Sequence, residues 1–536
     1  MEKYSRAFDE IRRICARFCD FGTIRRISCD FITTPNFTKI FIWGIALHLI
    51  ALFALFRADF YYNDDLKTSV MDISWDHNSR YFATFVLNTL SSLGKGAIDA
   101  SPLLQILGVV FVVLSAMILL YLIRRKFDLL GIIASLPLGL SPHFLQNLSY
   151  KFESLFMCIA LFLAVLPFLF KENKRVFCVV SVLCLLLMFM SYQAANASYI
   201  ILSLYFALFM SADFKQRAGF LGICALNLII ASALYKLTIT PIPSNTYATD
   251  AIIPLSAFFT GIAHNLAQYF TTIFSDFKQT PYIWLIALNC VLFVLNAIFC
   301  KNRRIYAILF LAFGFCASYG LYLVLQSPLW EPRAFYGLNA LIAVICITNA
   351  SCSNVSQFAE SNVFCHSERS EESQNNNRDS SVALLPQNDK FLFKILRFLS
   401  IATILIVAYF LISFANAYGN ALKKQDEYLS FRAEMLLQYL GEKVPRGATI
   451  NLKNHLGFHP VSARFLAKYG ETRLVKDVKE YYYHFYSRLQ HLNAPYNLNE
   501  SDICDFVREN FGAEAVAENA WHKIEKAKVC YIVTIK

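Results

Sequence analysis

Long apolar runs separated by short basic clusters constrain this chain more than any other feature. The run "FIWGIALHLIALFALF" carries no charge between Lys39 and Arg57, and comparable runs recur as far as residue 413. About 20 apolar residues suffice for a helix to cross the hydrocarbon core of a bilayer. Between the runs stand "IRRK" at 123–126, "KENKR" at 171–175, "DFKQR" at 213–217 and "KNRR" at 301–304, after an arginine-rich start, "EIRRICARFCDFGTIRR". Composition agrees: of 536 residues, 57% are hydrophobic and 16% charged, and the mean hydropathy is +0.45. A net charge of +11 would suggest nucleic acid in a soluble chain. Here the clusters are explained by loops retained on one side of a membrane, so no nucleic-acid partner is expected.

Alternating basic clusters against apolar runs gives a polytopic α-helical membrane protein with about eleven transmembrane helices. They are expected near 39–57, 102–122, 128–144, 153–170, 176–191, 195–212, 218–238, 281–300, 305–325, 334–350 and 391–413. The stretch from Val176 to Ala212 has no basic residue and is too long for one crossing, so it folds back at "SYQAAN". An odd number places the N-terminus in the cytoplasm and the C-terminus outside. Residues 1–38 have no signal-peptide pattern and read as a cytoplasmic basic amphipathic arm. Residues 39–350 form the transmembrane domain, with a first external loop at 58–101 whose "SRYFATFVLNTLSSL" suits a helix lying on the outer leaflet.

Residues 351–390, polar and rich in Ser, Asn and Glu, are expected to be a disordered cytoplasmic linker. After a last crossing at 391–413, residues 414–536 mix a helix-like "KKQDEYLSFRAEMLLQYL" with strand-like "ATINL" and "VCYIVTI", as a small α+β extracytoplasmic domain would. The aromatic cluster from Tyr481 to Tyr486 could stack on sugar, although packing is the commoner use of such rings. Most of the fifteen cysteines fall in the apolar runs, where a thiol acts as a small hydrophobe. Cys504 and Cys530 lie in the external tail, where a disulfide is chemically permitted.

With this topology, the unusual polar residues near span ends gather on the external side. They are Asp64, Asp65 and Arg80; Asp99 and Gln105; Asn147, Tyr150, Lys151 and Glu153; Gln193 and Asn196; Glu331 and Arg333. Any one of them is accounted for by interfacial solvation. The set together points to a cavity opening outward, because ionisable groups at membrane depth are costly unless paired, hydrated or functional. An aspartate pair beside cations suits attack of a hydroxyl on an activated sugar carbon with departure of a phosphate. In that chemistry Asp64 and Asp65 are the candidate bases. Arg333 is the preferred phosphate clamp, with Arg80 and Lys151 in support. Asn147, Tyr150, Glu153, Gln193 and Glu331 are candidate substrate ligands. Paired aspartates can recruit a hard divalent cation such as Mg or Mn, but two carboxylates without a third ligand do not define a metal site. Sugar nucleotides are absent outside the cytoplasm, so the expected donor is a sugar on a polyprenyl phosphate, its tail held among the apolar spans.

"YYNDDL", "DASPLLQIL", "LQNLSYKFESLFM", "MSYQAA" and "EPRAFYG" resemble, in this order, the glucosyltransferase II family of bacterial serotype-converting O-antigen glucosyltransferases, over residues from about 40 to 430. The resemblance implies a GT-C type membrane enzyme that moves glucose from undecaprenyl phosphate-glucose to lipopolysaccharide O-antigen on the periplasmic side of the inner membrane. It also implies that Asp64 and Asp65 carry catalysis. The linker at 351–390 departs from the pattern. A lipid-linked sugar transporter or flippase would share the many spans, but the acids lie at one surface rather than at midplane. A GT-C enzyme acting on lipid A or protein shares the donor chemistry. A non-enzymatic surface protein would be indifferent to loss of Asp65.

Overall fold

The computed structural model describes residues 21–69, 74–90, 98–210, 213–239, 251–299, 304–351, 387–454, 457–470, 488–498 and 503–536. Residues 1–20 of the expected arm, nearly all of the expected linker, and Tyr481–Tyr486 lie outside these residues.

The end of the arm is helix α1 (Phe21–Thr33), and the first apolar run is α2 (Phe37–Ala58). Asn36 and Asp59 bound α2 with φ of 65° and 50°, a backbone region that Asn and Asp tolerate better than most side chains. The acidic pair opens a single turn, α3 (Asp65–Thr68), and α4 (Tyr81–Leu90) occupies the expected helical part of the first loop. The bundle continues with α5 (Leu103–Arg124), α6 (Leu129–Ala134), α7 (Pro137–Leu140), α8 (Pro142–Ser149), α9 (Ser154–Val165), α10 (Lys174–Phe189) and α11 (Asn196–Phe209). It is completed by α12 (Phe214–Leu234), α13 (Phe258–Phe277), α14 (Tyr282–Phe299), α15 (Arg304–Ala317) and α16 (Tyr336–Ser351). Three helices start within or beside the basic clusters with side-chain caps, in which Asp128, Asn173 and Asp213 accept from the N–H groups of Gly131, Val176 and Gln216.

By length and composition, four helices among the described residues can cross a membrane, and six if each of two bent pairs counts as one crossing. Five further apolar helices have only 10–17 residues. The eleven expected crossings are therefore not all long continuous helices, and the reason is local. Pro137 and Pro142 remove backbone donors within one expected span, and the halves 129–140 and 142–149 meet at 66°. Helix α13 has no counterpart among the expected spans. Its buried positions include Asn265, Tyr269, Thr272 and Asp276, whereas Phe259 and Phe274 are exposed, an arrangement opposite to that of a soluble amphipathic helix.

All of α16 is buried, which places it at the centre of the bundle. Asn296 of α14 donates to Asn349 of α16 at 3.1 Å and to Ser400 at 3.0 Å, tying three helices together. Ser400 belongs to α17 (Gln387–Lys443), whose 57 residues span about 85 Å at 1.5 Å each, far more than a bilayer. The expected division at 413/414 thus falls inside one helix, in a stretch without proline. Helix α17 runs parallel to α2: Asn416 donates to the Ile50 carbonyl, Gly419 faces Ala54 and Leu55, and Asn420 accepts from Arg57.

Beyond α17 lies a mixed sheet of β1 (Thr449–Lys453), β2 (Asn497–Leu498), β3 (Glu514–Glu518), β4 (His522–Ala527) and β5 (Cys530–Ile535), in the order β2-β1-β5-β4-β3. Strand β1 is parallel to β2 and β5, and the other pairs are antiparallel. Helices α18 (Pro460–Tyr469) and α19 (Ile503–Phe511) complete this part, and the Cys504–Cys530 disulfide ties α19 to β5. Segment 488–498 reaches the first loop, where the His491 and Tyr61 rings are 5.6 Å apart.

Candidate active site

The polar set assembles at one end of the bundle from four chain segments: the loop after α2, the turn between α8 and α9, the 191–195 turn between α10 and α11, and the 331–335 turn before α16. The neighbouring acids have different surroundings. Asp65 is 1% exposed, and its carboxylate accepts the N–H groups of Lys151 at 2.8 Å, Tyr62 at 3.1 Å and Phe152 at 3.4 Å. Burial, reinforced by Asp64 and Glu153, pushes the Asp65 carboxyl well above the usual carboxylate range, against the pull of the Lys151 and Tyr62 donors. Asp65 therefore fastens the first loop to the 150–152 turn. Asp64 is only half-buried and accepts from the Asn63 amide at 3.1 Å.

The same Asn63 amide reaches the Tyr150 hydroxyl at 3.2 Å, which also accepts from Arg333 Nη1 at 2.6 Å. The Arg333 guanidinium carbon lies 5.4 Å from the Tyr150 ring centroid. Gln146, one residue before a candidate, fixes the opposite wall. Its oxygen accepts the Arg333 backbone N–H at 2.7 Å, and its amide donates to the Tyr62 hydroxyl at 3.1 Å and to Glu331 at 3.3 Å. Glu153 is 9% exposed, and its Oε1 accepts the Trp75 indole N–H at 2.6 Å. Burial first, then the Asp64 charge, raises its carboxyl to about 7, opposed by Arg80, the indole and Arg333. Arg80 donates to Gln193 at 3.2 Å and sits 4.8 Å over the Tyr192 ring.

Several candidates lie outside this group. Lys151 is 2% exposed, and its ammonium is paired with Asp59 at 2.6 Å and Asp99 at 3.2 Å and lies 3.8 Å from the Tyr61 ring centroid. Burial works against ionisation of Asp99, but the Ser101 N–H, the Tyr61 hydroxyl and Lys151 together hold its carboxyl below the usual range. Asn147 faces the core, where its oxygen accepts the Tyr336 hydroxyl at 2.9 Å. Gln105 donates to the Leu148 carbonyl, and Asn196 accepts the Leu321 N–H, so both are spent on packing. Gln146, Trp75 and Tyr62 were missed by the sequence reading. Gln146 and Tyr62 carried a signal there, each being inside a quoted motif.

Glu153 immediately precedes α9. At the far end of that helix and its extension to Phe170, roughly 25 Å away at 1.5 Å per residue, a cavity of about 950 Å³ is lined by Arg26, Arg125, Lys174 and Arg175 among others. Acids and basic clusters thus occupy opposite ends of the bundle. Among the described residues, no group of three or more His, Cys, Asp or Glu side chains could hold a metal ion.

Comparison with known proteins bears on this arrangement. The model of the family described as glucosyl transferase GtrII matches residues 52–344, more than half of the chain and the whole span from Asp64 to Arg333. An uncharacterised 55.3 kDa protein in the gtrB 5′ region of Salmonella phage P22 is 31% identical over 170 residues, 30% of this chain and 34% of that protein. The match spans only about a third of that relative's length. No solved structure matches. By its match across the bundle and its polar site, the chain belongs to the glucosyl transferase GtrII family.

Proposed function

We propose that the protein is an integral-membrane glycosyltransferase that moves a hexose, glucose by its family, from a polyprenyl-phosphate carrier to a cell-surface glycan such as lipopolysaccharide O-antigen. It works at the periplasmic face of a bacterial inner membrane. One observation carries this reading: a half-buried acid, Asp64, a second acid, Glu153, and two cations, Arg80 and Arg333, meet at the end of an apolar bundle away from its basic clusters. The acceptor hydroxyl attacks the anomeric carbon, Asp64 takes its proton, and the departing phosphate is received by Arg333 with Arg80 behind it. Asp65 and Lys151 shape the loop, because three backbone donors occupy the first and two carboxylates neutralise the second.

The orientation rests on two supports. Basic clusters at the end opposite the acids suit a cytoplasmic side there. Parallel α2 and α17 require an odd number of crossings from one to the other inclusive. With the basic end taken as cytoplasmic, this reading has the N-terminus in the cytoplasm and the sheet domain in the periplasm.

The test offers purified protein in vesicles several polyprenyl-phosphate sugars together with lipopolysaccharide. Consumption of one donor with transfer to the polysaccharide is expected, and Asp64→Asn should abolish it at normal insertion. Passage of the lipid-linked sugar across the vesicle without transfer, transfer to lipid A or protein instead, or full activity of Asp64→Asn would each overturn the reading.

A further inference from the structure

The transfer chemistry proposed above makes no use of the basic end of the bundle, yet that end holds a cavity of about 950 Å³. This is within the size of sites that take a small ligand, about 300–1,000 Å³. One wall is α1, whose Thr23, Arg26, Ile27 and Asp30 stand at i, i+3, i+4 and i+7 and so share one face. Helix α1 is seated by Phe31, a buried ring in edge contact with Phe37, Tyr121 and Phe127 at centroid distances of 5.1, 5.5 and 5.9 Å. The other walls are the end of α5, with Tyr121, Leu122 and Arg125, and the segment leading into α10, with Leu169, Lys174 and Arg175.

Arg26, Arg125, Lys174 and Arg175 line the cavity against two acids, Asp30 and Glu172. Glu172 is paired with Lys171 and lies in the field of Arg125, whose guanidinium carbon is 5.7 Å from the Tyr121 ring centroid. Among the described residues no carboxylate forms an ion pair with Arg26, Lys174 or Arg175. The start of α10 adds the partial positive charge of a helix N-terminus. Topology explains why cations collect at this end. It does not explain why three of them, without carboxylate partners, rim a hollow with apolar walls at Ile27, Leu122 and Leu169, the last two buried.

We propose that the cavity is a binding site for the phosphate headgroup of an anionic phospholipid, held by Arg26, Arg125, Lys174 and Arg175. Guanidinium forks suit phosphate oxygens. Apolar walls beside them suit a phosphate that carries acyl chains more than a free ion in water. Basic pockets between membrane helices take acidic headgroups in the same way. Because the cations come from α1, the end of α5 and the start of α10, a bound headgroup ties the N-terminal helix to the bundle. The inference goes beyond the transferase reading and requires only that the chain sits in a bilayer.

The test uses the full-length protein in zwitterionic detergent, with bound lipid counted by native mass spectrometry and thermal unfolding followed alongside; neither requires turnover. Phosphatidylglycerol should be retained at one per chain and raise the unfolding temperature, whereas phosphatidylcholine should do neither. Arg26→Gln and Arg175→Gln should each weaken retention about 5-fold at low salt. Asp30→Asn, which removes a facing carboxylate, should strengthen it. Lys215→Gln, at an exposed lysine of the same end outside the cavity lining, should leave it unchanged. Equal retention of phosphatidylglycerol by wild type and both arginine variants, weaker retention by Asp30→Asn, or equal retention of the two lipids by wild type would overturn the proposal. Displacement of phosphatidylglycerol by inorganic phosphate or by undecaprenyl phosphate at matching concentration would also overturn it, by assigning the cations to a free ion or to the sugar carrier.

Discussion

Replacing Gly419 by alanine would put a methyl group where α17 crosses α2. The new Cβ would lie 2.5 Å from the Ala54 carbonyl carbon and 2.8 Å from its oxygen, and nearer still to the Leu55 nitrogen. Non-bonded carbon contacts are most favourable at about 3.5–4.0 Å, so the helices must separate locally by roughly 1 Å. The obstacle is backbone and no rotamer change relieves it. Overpacking of this kind costs about 1–3 kcal/mol. Stretching the Asn416–Ile50 and Arg57–Asn420 hydrogen bonds on either side adds about 1 kcal/mol each. Better helix propensity returns about 1 kcal/mol. The net is a loss of about 2–4 kcal/mol, and because α2 ends at the loop bearing Asp64, transfer should fall with it. Gly441, in the same helix with nothing within 4 Å of its would-be Cβ, is the control. Thermal inactivation in detergent should come at clearly lower temperature for Gly419→Ala and at equal or higher temperature for Gly441→Ala. Equal stability of Gly419→Ala and wild type would refute the close crossing of α2 and α17.

Arg333→Lys keeps the charge but loses the planar fork that lets one nitrogen hold the Tyr150 hydroxyl while another meets phosphate in fixed geometry. Loss of one charge-assisted hydrogen bond, about 1.5–3 kcal/mol, should lower kcat/KM by about 10- to 100-fold in the vesicle assay, without loss of inserted protein. The Cys504–Cys530 bridge spans a sequence separation of 26, for which chain entropy gives about 3.5 kcal/mol. Cys504→Ser should therefore hasten proteolysis of the sheet domain, measured by limited digestion of intact vesicles, and leave sugar transfer by surviving protein in place.

The sequence was legible where a single physical signal dominates. Apolar runs between Lys39 and Arg57, or from Leu103 to Arg124, became helices because apolar length and flanking charge both point the same way. The face on which the polar residues gather was also readable, since basic clusters at 123–126 and 171–175 define the opposite end. What each polar residue does there was not readable. Asp64 and Asp65 are indistinguishable as letters, and only the turn at 62–65 sends one carboxylate into three backbone N–H groups and leaves the other half-buried. Lys151 reads as a free cation until Asp59 and Asp99, 92 and 52 residues away, turn out to flank it. Trp75 gave no signal, because an indole is most often simply core. Helix α13 escaped notice because its polar residues face inward, so its composition resembles an external loop.

The loop after α2 is held from both sides by charge. Asp65 fixes it to the 150–152 turn from within, and on its flank Lys151 binds Asp59 and Asp99 beneath the Tyr61 ring. Asp426 of α17 lies within electrostatic reach of Lys151 and Asp59 and is itself paired with Arg488 of the sheet domain, whose neighbour His491 meets Tyr61. The Lys151 ammonium is buried, but the Asp59 side chain is 74% exposed and Asp99 27%, so water screens the Asp59 contact and Asp99 is the firmer partner. The placement of Asp64 therefore depends on contacts reaching from the first loop to the sheet domain more than 400 residues later. In the site proposed above, the neighbouring charges are spent on position and Asp64 is left half-buried, and the C-terminal part of the chain becomes a structural member of that end of the bundle and not an appendage.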